Sequence, residues 1–528
     1  MDSFPKKIWV VSREYAGIAE AGGVKNVACS LCECLAKNNI DVTLLIPRYG
    51  CTDFSKVKHY KPNIIPPQLI YVEGKNYTVF FDKAQINDVN IVFIVHQIFS
   101  DKRGVYTYTA TDEALNKDNP RGIGFHDSLT MDVLFQKAVV CYGEIIGSGP
   151  DIVHCQDAAT ALIPAMATCY SKADSVFNAT NFVVTIHNAG PGYHHEFNSV
   201  WQAESYTNLP RSVLEQCQNG NAVEPFLIAS NYATMNTVSP WYAKELTNSF
   251  FTEETGGLAN LFSDKGVTIS GITNGIDCYR YSPIDTKKSL LPYPFDPLKS
   301  DFDGKYQNRF YFLKKYAAEN SPKKNYSSFN RFGFLEEDRK DFLFFCYHGR
   351  IVRQKGIDVL ISTAQRILSQ KDSPLCFVIV GQGESELENE LSKLASLYKG
   401  RCVYFQGYER AISRLAVAIS DFILLPSKFE PCCLEDFIAQ MYGTIPVAHG
   451  TGGLKKILDG KTGFLYSPNT PEELLQTIES LEKKWCTDKT WLKQMAKFSA
   501  EYVKNNYSWD SVISNCYMPF YRSLKKQY

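Results

Sequence analysis

The sequence predicts an α/β protein of two doubly wound, Rossmann-like domains facing each other across a deep cleft. Three observations carry that prediction. Short, almost continuously apolar runs alternate with helical patterns along the chain, as expected for parallel strands whose two faces are both covered by helices. The alternation comes in two series, separated by a polar stretch rich in Pro and Lys. Polar and glycine residues gather at the carboxyl ends of the runs, where open parallel sheets bind their ligands.

Ile8–Ser12 is the first strand candidate, followed by a Gly-Gly turn and an amphipathic helix reaching about Asn38. Asp41–Pro47, Asn90–His96, Asp151–Gln156, Phe182–His187 and Met235–Ser239 continue the first series. From Ser282 to Arg339 the rhythm breaks, with PIDTKKSLLPYPFDPLKSDFDGK and the basic patch SPKKNYSSFN. It then resumes with Phe342–Gly349, Leu375–Gly381, Cys402–Gly407, Asp421–Ser427 and Ile445–Gly450. The expected division is residues 1–280, residues 281–505, and a helix at 506–528 that crosses back to the first domain. A chain of 528 residues is indeed too long for one ordinary domain.

Composition excludes several classes. Hydrophobic residues at 45% and charged residues at 21% are ordinary for a globular protein. Lys+Arg and Asp+Glu are both 56, so no net charge draws the chain to nucleic acid or an anionic membrane. Any anion must be caught by a local site. The opening MDSFPKKIWVVS holds no apolar segment of signal-peptide length, and no run is long enough to span a bilayer. A cytoplasmic location is expected, with the sixteen cysteines reduced and used as small apolar residues. Cys29, Cys32 and Cys34 lie inside the helical pattern Val24, Val27, Ala28, Leu31, Leu35 with no His nearby, which argues against zinc.

Six segments carry candidate chemistry. In Glu20-Ala21-Gly22-Gly23, the glycines let backbone approach a ligand at a helix start, although tight packing alone also explains such a turn. Asp157 and the pair His187-Asn188 end two buried strands with polar groups. Arg350 and Lys355 flank a turn before a helix near Gly356, an arrangement suited to a diphosphate, or to an ordinary solvated loop. Glu430, fixed by Pro431 at a helix start, is placed to accept sugar hydroxyls, or to serve as a plain helix-start acid. Thr451, Gly452 and Gly453 form a small loop open to a phosphate or sugar. The sequence has no Walker loop, HExxH, GxSxG or carboxylate–His metal cluster. The chemistry implied is group transfer, with cations and dipoles stabilising a departing diphosphate.

Together these segments resemble the glycogen and starch synthases, retaining glycosyltransferases of the GT-B fold. The resemblance runs in order through SREY…EAGGVKNV, LLIPRYG, DIVHCQDAATALIPA, VVTIHNAG, NTVSPWYAKEL, Gly256–Leu258 and GITNGIDCYRYSP. It continues through HGRIVRQKGID, VIVGQGE, FQGY, ILLPSKFEPCCLE, GTGGL and GKTGF. It implies transfer of glucose from ADP-glucose or UDP-glucose to the non-reducing end of an α-1,4-glucan, with no metal or other cofactor. By similarity Arg350 and Lys355 bind the diphosphate, Glu430 holds the glucosyl hydroxyls, His187 lines the donor sugar, and Asp157 contacts donor or acceptor. Gly22, Gly23, Lys25, Asn188, Asn274, Tyr408, Cys432, Leu434, Thr451, Gly452 and Gly453 complete the implied donor site.

The chain departs from the family pattern at four places. Glu20 stands where a phosphate-binding lysine is usual, and Lys25 is the expected substitute. Asn26 replaces an acid, Ala158 an aromatic, and Cys433 the glycine of FEPCG. These changes keep two alternatives in view: a catalytically impaired glucan-binding paralogue, and another nucleotide-sugar transferase of the same fold.

Overall fold

The computed structural model describes residues 5–322 and 329–524, so most of the basic patch at 321–330 lies outside it. The chain forms two compact units, one running through Asn274 and resuming at Trp509, the other spanning Gly275–Ser508. The breaks therefore fall after Asn274 and Ser508, against the 280 and 505 expected from composition.

The first unit contains β1 (Lys7–Val11), β2 (Asp41–Pro47), β3 (Lys58–Lys61), β4 (Gln68–Val72), β5 (Lys75–Ile86) and β6 (Val89–Val95). It continues with β7 (Ile152–Gln156), β8 (Asn181–Ile186), the short hairpin β9 (Gln218–Asn219) and β10 (Ala222–Val223), β11 (Thr234–Thr237) and β12 (Ile269–Gly271). Its main sheet runs β12-β11-β8-β7-β1-β2-β6-β5-β3, with β4 paired to β5. The sheet is parallel from β12 to β6, and β5 then pairs antiparallel with β6, β3 and β4. The sequence pattern missed this antiparallel flap. Its strands are half exposed (β3 wholly so), and one-sided strands show no continuous apolar run.

Chain order dictates where a ligand goes. From β1 the strands step outward through β2 and β6, while β7, β8, β11 and β12 step the other way. The reversal between β1 and β7 opens a crevice at their carboxyl ends, which is where such sheets bind.

The second unit contains β13 (Phe329–Leu335), β14 (Leu343–His348), β15 (Leu375–Gly381), β16 (Arg401–Gly407), β17 (Phe422–Leu425), β18 (Ile445–His449) and β19 (Phe464–Tyr466). Their order is β13-β16-β15-β14-β17-β18-β19, parallel except for β13, which pairs antiparallel with β16. The reversal here lies between β14 and β17. Under it, Phe345 stacks on both Phe377 and Phe422 with ring centroids 5.9 and 4.9 Å away, filling the middle of the sheet.

The stretch at 282–339 proves to be a built part of this unit. On its helix Asp303–Phe312, the buried Lys305 ammonium donates to the Ala418 and Tyr442 carbonyls (2.7 and 3.1 Å) and to the Thr444 hydroxyl (2.8 Å). Arg309 pairs with Asp421 at 2.9 Å. Burial pulls the Lys305 ammonium down to about 7, yet three acceptors satisfy it. Its charged residues therefore anchor the helix, where composition alone suggests a linker.

The terminal segment belongs to the first unit's core. Buried His154 on β7 reaches the Tyr521 hydroxyl through Nδ1 (2.8 Å) and the Thr185 hydroxyl through Nε2 (2.6 Å). Thr185 donates to Asn236 Oδ1 at 2.6 Å, so His154 Nε2–H donates to Thr185 and Nδ1 accepts from Tyr521. None of the sixteen cysteines is in a disulfide. Among the described residues no helix is long and apolar enough to cross a membrane.

Candidate active site

In the second unit, the loops after β14 and β17 meet at the strand-order reversal. Gly356 makes the meeting possible: its φ is +68°, and a Cβ there would lie 1.8 Å from the Pro426 carbonyl oxygen. One backbone hydrogen bond, Lys428 N–H to the Gln354 carbonyl (2.9 Å), and one surface ion pair, Lys428 Nζ to Asp358 (2.7 Å), join the loops. Lys355, last in a 3-10 turn before the helix Ile357–Ser369, is brought into direct contact with Glu430 Oε2. The Ser427 hydroxyl donates to the same oxygen at 3.2 Å. Burial alone would lower the Lys355 ammonium, but Glu430 beside it holds it above its ordinary value. Arg350 is exposed in the same loop, with its carbonyl held by the Tyr347 hydroxyl at 2.7 Å. A fixed buried carboxylate beside a lysine and an exposed arginine, at a helix start, has the chemistry to receive a ligand that is both hydroxylated and anionic.

The loop after β18 packs onto this cluster. Gly453 N–H donates to the Glu430 carbonyl at 2.7 Å, and a Cβ at Gly453 would lie 2.4 Å from Cys432 Cα. Thr451 Oγ1 donates to the Lys428 carbonyl at 3.3 Å. Beneath, the buried Lys456 ammonium gives its three protons to the carbonyls of Cys432 (2.5 Å), Cys433 (3.1 Å) and Gly453 (3.1 Å). Asp436, 2.9 Å away, balances the charge. Leu434 caps the helix Glu435–Met441. Cys433 has φ +62°, a conformation that costs a residue with a Cβ on the order of 1 kcal/mol. The glycine expected here is thus a backbone requirement, and this chain meets it with strain.

In the first unit, Glu14 and Asp157 end β1 and β7 on either side of the reversal. Glu14 Oε2 accepts from Ala21 N–H (3.0 Å) and Gly22 N–H (2.6 Å), and a Cβ on Gly22 would lie 2.9 Å from Oε1. The glycine turn is therefore wrapped around a carboxylate. Burial raises the Glu14 carboxyl, against which its backbone donors and Lys25 act. Asp157 sits at φ +65° with Oδ1 accepting from His187 N–H at 2.8 Å. Burial pushes the Asp157 carboxyl up to about 7, opposed by the backbone amides of His187 and Asn188 and by His195. His187 Nε2 donates to Gln156 Oε1 at 2.8 Å, and burial lowers its ring to about 3, so the imidazole is neutral. Asn188 Oδ1 accepts from Gly190 N–H at 2.8 Å and shapes the elbow.

Glu20 resolves its own conflict. Its carboxylate accepts from Gly17 N–H at 2.7 Å and lies 3.4 Å from Lys25 Nζ. Lys25, expected to supply the missing cation, is engaged by the residue that displaced it. Gly23 has open space where a Cβ would go.

The structure brings Lys355, Glu430, Cys432, Thr451 and Gly453 together in one unit, and Gly22, Asp157, His187 and Asn188 at one sheet edge in the other. Tyr408 is exposed beyond β16, two strands from β14, and Asn274 is buried beyond the edge strand β12, its Oδ1 without a hydrogen-bond partner among the described residues. Sequence reasoning missed Glu14, although it ends β1 as Asp157 ends β7, and it missed Lys456, for which no local pattern exists. It also found no carboxylate–His cluster, whereas the fold gathers His194, Glu196 and Glu224 with ligand atoms within 4.8 Å of one another. His194 Nδ1 bonds Glu224 at 2.5 Å and Nε2 bonds the Ala189 carbonyl at 2.8 Å, so both ring nitrogens already have protein partners.

Residues 7–262 match the starch synthase catalytic domain, and residues 331–501 match the group 1 glycosyl transferases. A glycogen synthase of Thermodesulfovibrio yellowstonii is 27% identical over 98% of both chains. One of Lachnospira eligens is 25% identical over 98% of this chain and 100% of that one. Among solved structures, the catalytic domain of starch synthase IV from Arabidopsis thaliana, bound to ADP and acarbose, matches with a TM-score of 0.78 at 21% identity, covering 99% of this chain and 100% of that one. Sucrose-phosphate synthase from Thermosynechococcus elongatus matches at 0.53 and 14%, covering 98% of this chain and 100% of that one. Two family matches in chain order, full-length relatives and a shared two-domain fold agree with the two strand-order reversals and the residues gathered there: the chain belongs to the glycogen and starch synthase family of GT-B glycosyltransferases.

Proposed function

We propose that the protein transfers glucose from a nucleoside diphosphate glucose, ADP-glucose or UDP-glucose, to the non-reducing end of an α-1,4-glucan with retention of configuration. The observation that carries this reading is the Lys355–Glu430 pair at the reversal between β14 and β17. Lys355 and Arg350 stabilise charge on the leaving diphosphate, and Glu430 accepts hydrogen bonds from glucosyl hydroxyls. Neutral His187 and Asp157 contact sugar, and the departing phosphate takes the proton of the attacking hydroxyl. Protein cations supply the charge stabilisation, so the reaction runs without a metal. The setting is the cytoplasm.

The test is incorporation of labelled glucose into glycogen from each donor separately, in EDTA. Incorporation from at least one donor is expected, undiminished by the chelator. No incorporation from either donor, with glycogen still bound, overturns the reading. It would favour the second one, a non-catalytic glucan-binding paralogue, which the Glu20–Lys25 pairing supports because it neutralises the cation of the first glycine loop.

Asp157 gives this reading a pH signature. With its carboxyl raised to about 7, it is protonated below and charged above, and a carboxylate accepts hydroxyl protons more strongly than the acid. Affinity for maltoheptaose should rise as pH climbs through about 7, and Asp157→Asn should flatten that rise in a calorimetric titration. The stability sign is opposite. The folded state holds the proton more tightly than the unfolded one, so stability falls as pH rises from the ordinary carboxylate range to about 7.

A further inference from the structure

Beside Asp157, at the carboxyl edge of the first unit's sheet, lies a charged network that none of the assigned roles uses. Arg13 leaves the end of β1, Asp132 lies on the helix Ser128–Ile146, and His195 sits in the loop after β8. Asp132 Oδ1 accepts from Arg13 Nη1 at 2.7 Å, and Oδ2 accepts from His195 Nδ1 at 2.5 Å. Arg13 also donates to the Tyr49 hydroxyl (3.1 Å) and the Val105 carbonyl (2.6 Å), and its guanidinium lies over the Tyr106 ring at 5.0 Å. The network therefore joins the segments that follow β1, β2, β6 and β8.

Stability does not explain it. The Arg13 and Asp132 side chains are 4% and 3% exposed, and burying an ion pair gains little over packing apolar groups of the same volume. His195 adds backbone strain, with φ +55° in a residue that has a Cβ. Strain and buried charge held together at a ligand-binding sheet edge mark a group that is being aimed.

The aim follows from proton counting. Asp132 is flanked by Arg13 and His195, which hold its carboxyl below the usual range despite burial, so it is an anion and can only accept. His195 Nδ1 must then carry the proton. Its Nε2 makes no hydrogen bond among the described residues, and the side chain is 28% exposed. His195 also lies near enough to Asp157 to stabilise that carboxylate. An imidazole whose Nδ1–H is locked to a carboxylate presents Nε2 at a fixed position, open to a hydrogen-bonding ligand.

We propose that His195 is a sugar-binding residue of the first unit, hydrogen-bonding through Nε2 to a glucosyl hydroxyl, with Asp132 and Arg13 as the positioning residues that hold it. This rests on the glucan-synthase reading above. The hydroxyl belongs either to the donor glucose or to the glucan end, and the experiment separates them.

His195→Asn is the informative variant. Its amide nitrogen takes the place of Nδ1 and keeps the bond to Asp132, while the hydrogen-bonding atom Nε2 is lost. The melting temperature should match the wild type, and KM should rise about tenfold for one substrate only. A change confined to maltoheptaose assigns the hydroxyl to the acceptor, and one confined to ADP-glucose or UDP-glucose assigns it to the donor. Calorimetric binding of the same three compounds reads the contact without turnover. A catalytically silent wild type would therefore sink the synthase reading while still testing this one. Unchanged affinity for all three compounds in His195→Asn overturns the proposal and leaves His195 as a strap for its loop.

Discussion

Lys355→Gln lowers kcat by about 10²–10³-fold, the loss typical of removing one well-placed stabiliser of a developing charge. The expectation rests on where the lysine is held. Lys355 is placed by a turn that Gly356 closes against β17, so its ammonium does not wander, and Glu430 keeps it protonated. The same substitution also leaves Glu430 without its cation, which alone would disturb the site. Lys355→Arg separates the two effects: it retains the charge opposite Glu430 but replaces a compact ammonium with a planar fork. Steady-state kinetics with each donor check this. A Lys355→Gln variant within fivefold of wild-type kcat would mean that the diphosphate is neutralised elsewhere.

Lys456→Met destabilises the second unit by about 3–5 kcal/mol, because it strands a buried carboxylate and frees three buried carbonyls at once. The Lys456 and Asp436 side chains are 1% and 0% exposed. Burial already pushes Asp436 up to about 6 in the presence of its cation. Without Lys456 that carboxyl rises further. A carboxyl raised in the folded state loses stability as pH rises, so the variant's deficit should be larger at pH 8 than at pH 5. Lys456→Met with Asp436→Leu should recover most of the loss, since the stranded charge is gone. Urea melts at the two pH values decide it; an equal deficit at both would show that Asp436 is not the source.

The sequence made the parallel core legible because strands covered on both faces must be apolar throughout. Phe345, Phe377 and Phe422 lie in runs visible by eye. It also marked the strand-end residues Asp157, His187 and Glu430, since a polar group after a buried run has few structural reasons to be there. Half-exposed β3–β5 carry no such signal, and their pairing is set by neighbours distant in sequence. Asp132 was illegible for another reason: it sits within a helix whose other residues are largely apolar and buried, and its partners are 119 and 63 residues away. Lys305 and Lys456 read as surface charge until the fold supplies their carbonyls.

The return of the chain to the first unit at Trp509 has a consequence for synthesis. As the polypeptide leaves the ribosome, the strands through β12 emerge first and the whole second unit follows. Tyr521, which completes the hydrogen bonds of His154, arrives last. Until then a buried imidazole on β7 lacks one partner, and the apolar surface that Tyr517 and Tyr521 will cover stays open to water. The second unit is contiguous in sequence, whereas the first is completed only after the whole second unit has been made. Stop codons placed shortly before Trp509 should therefore harm the unit made earliest.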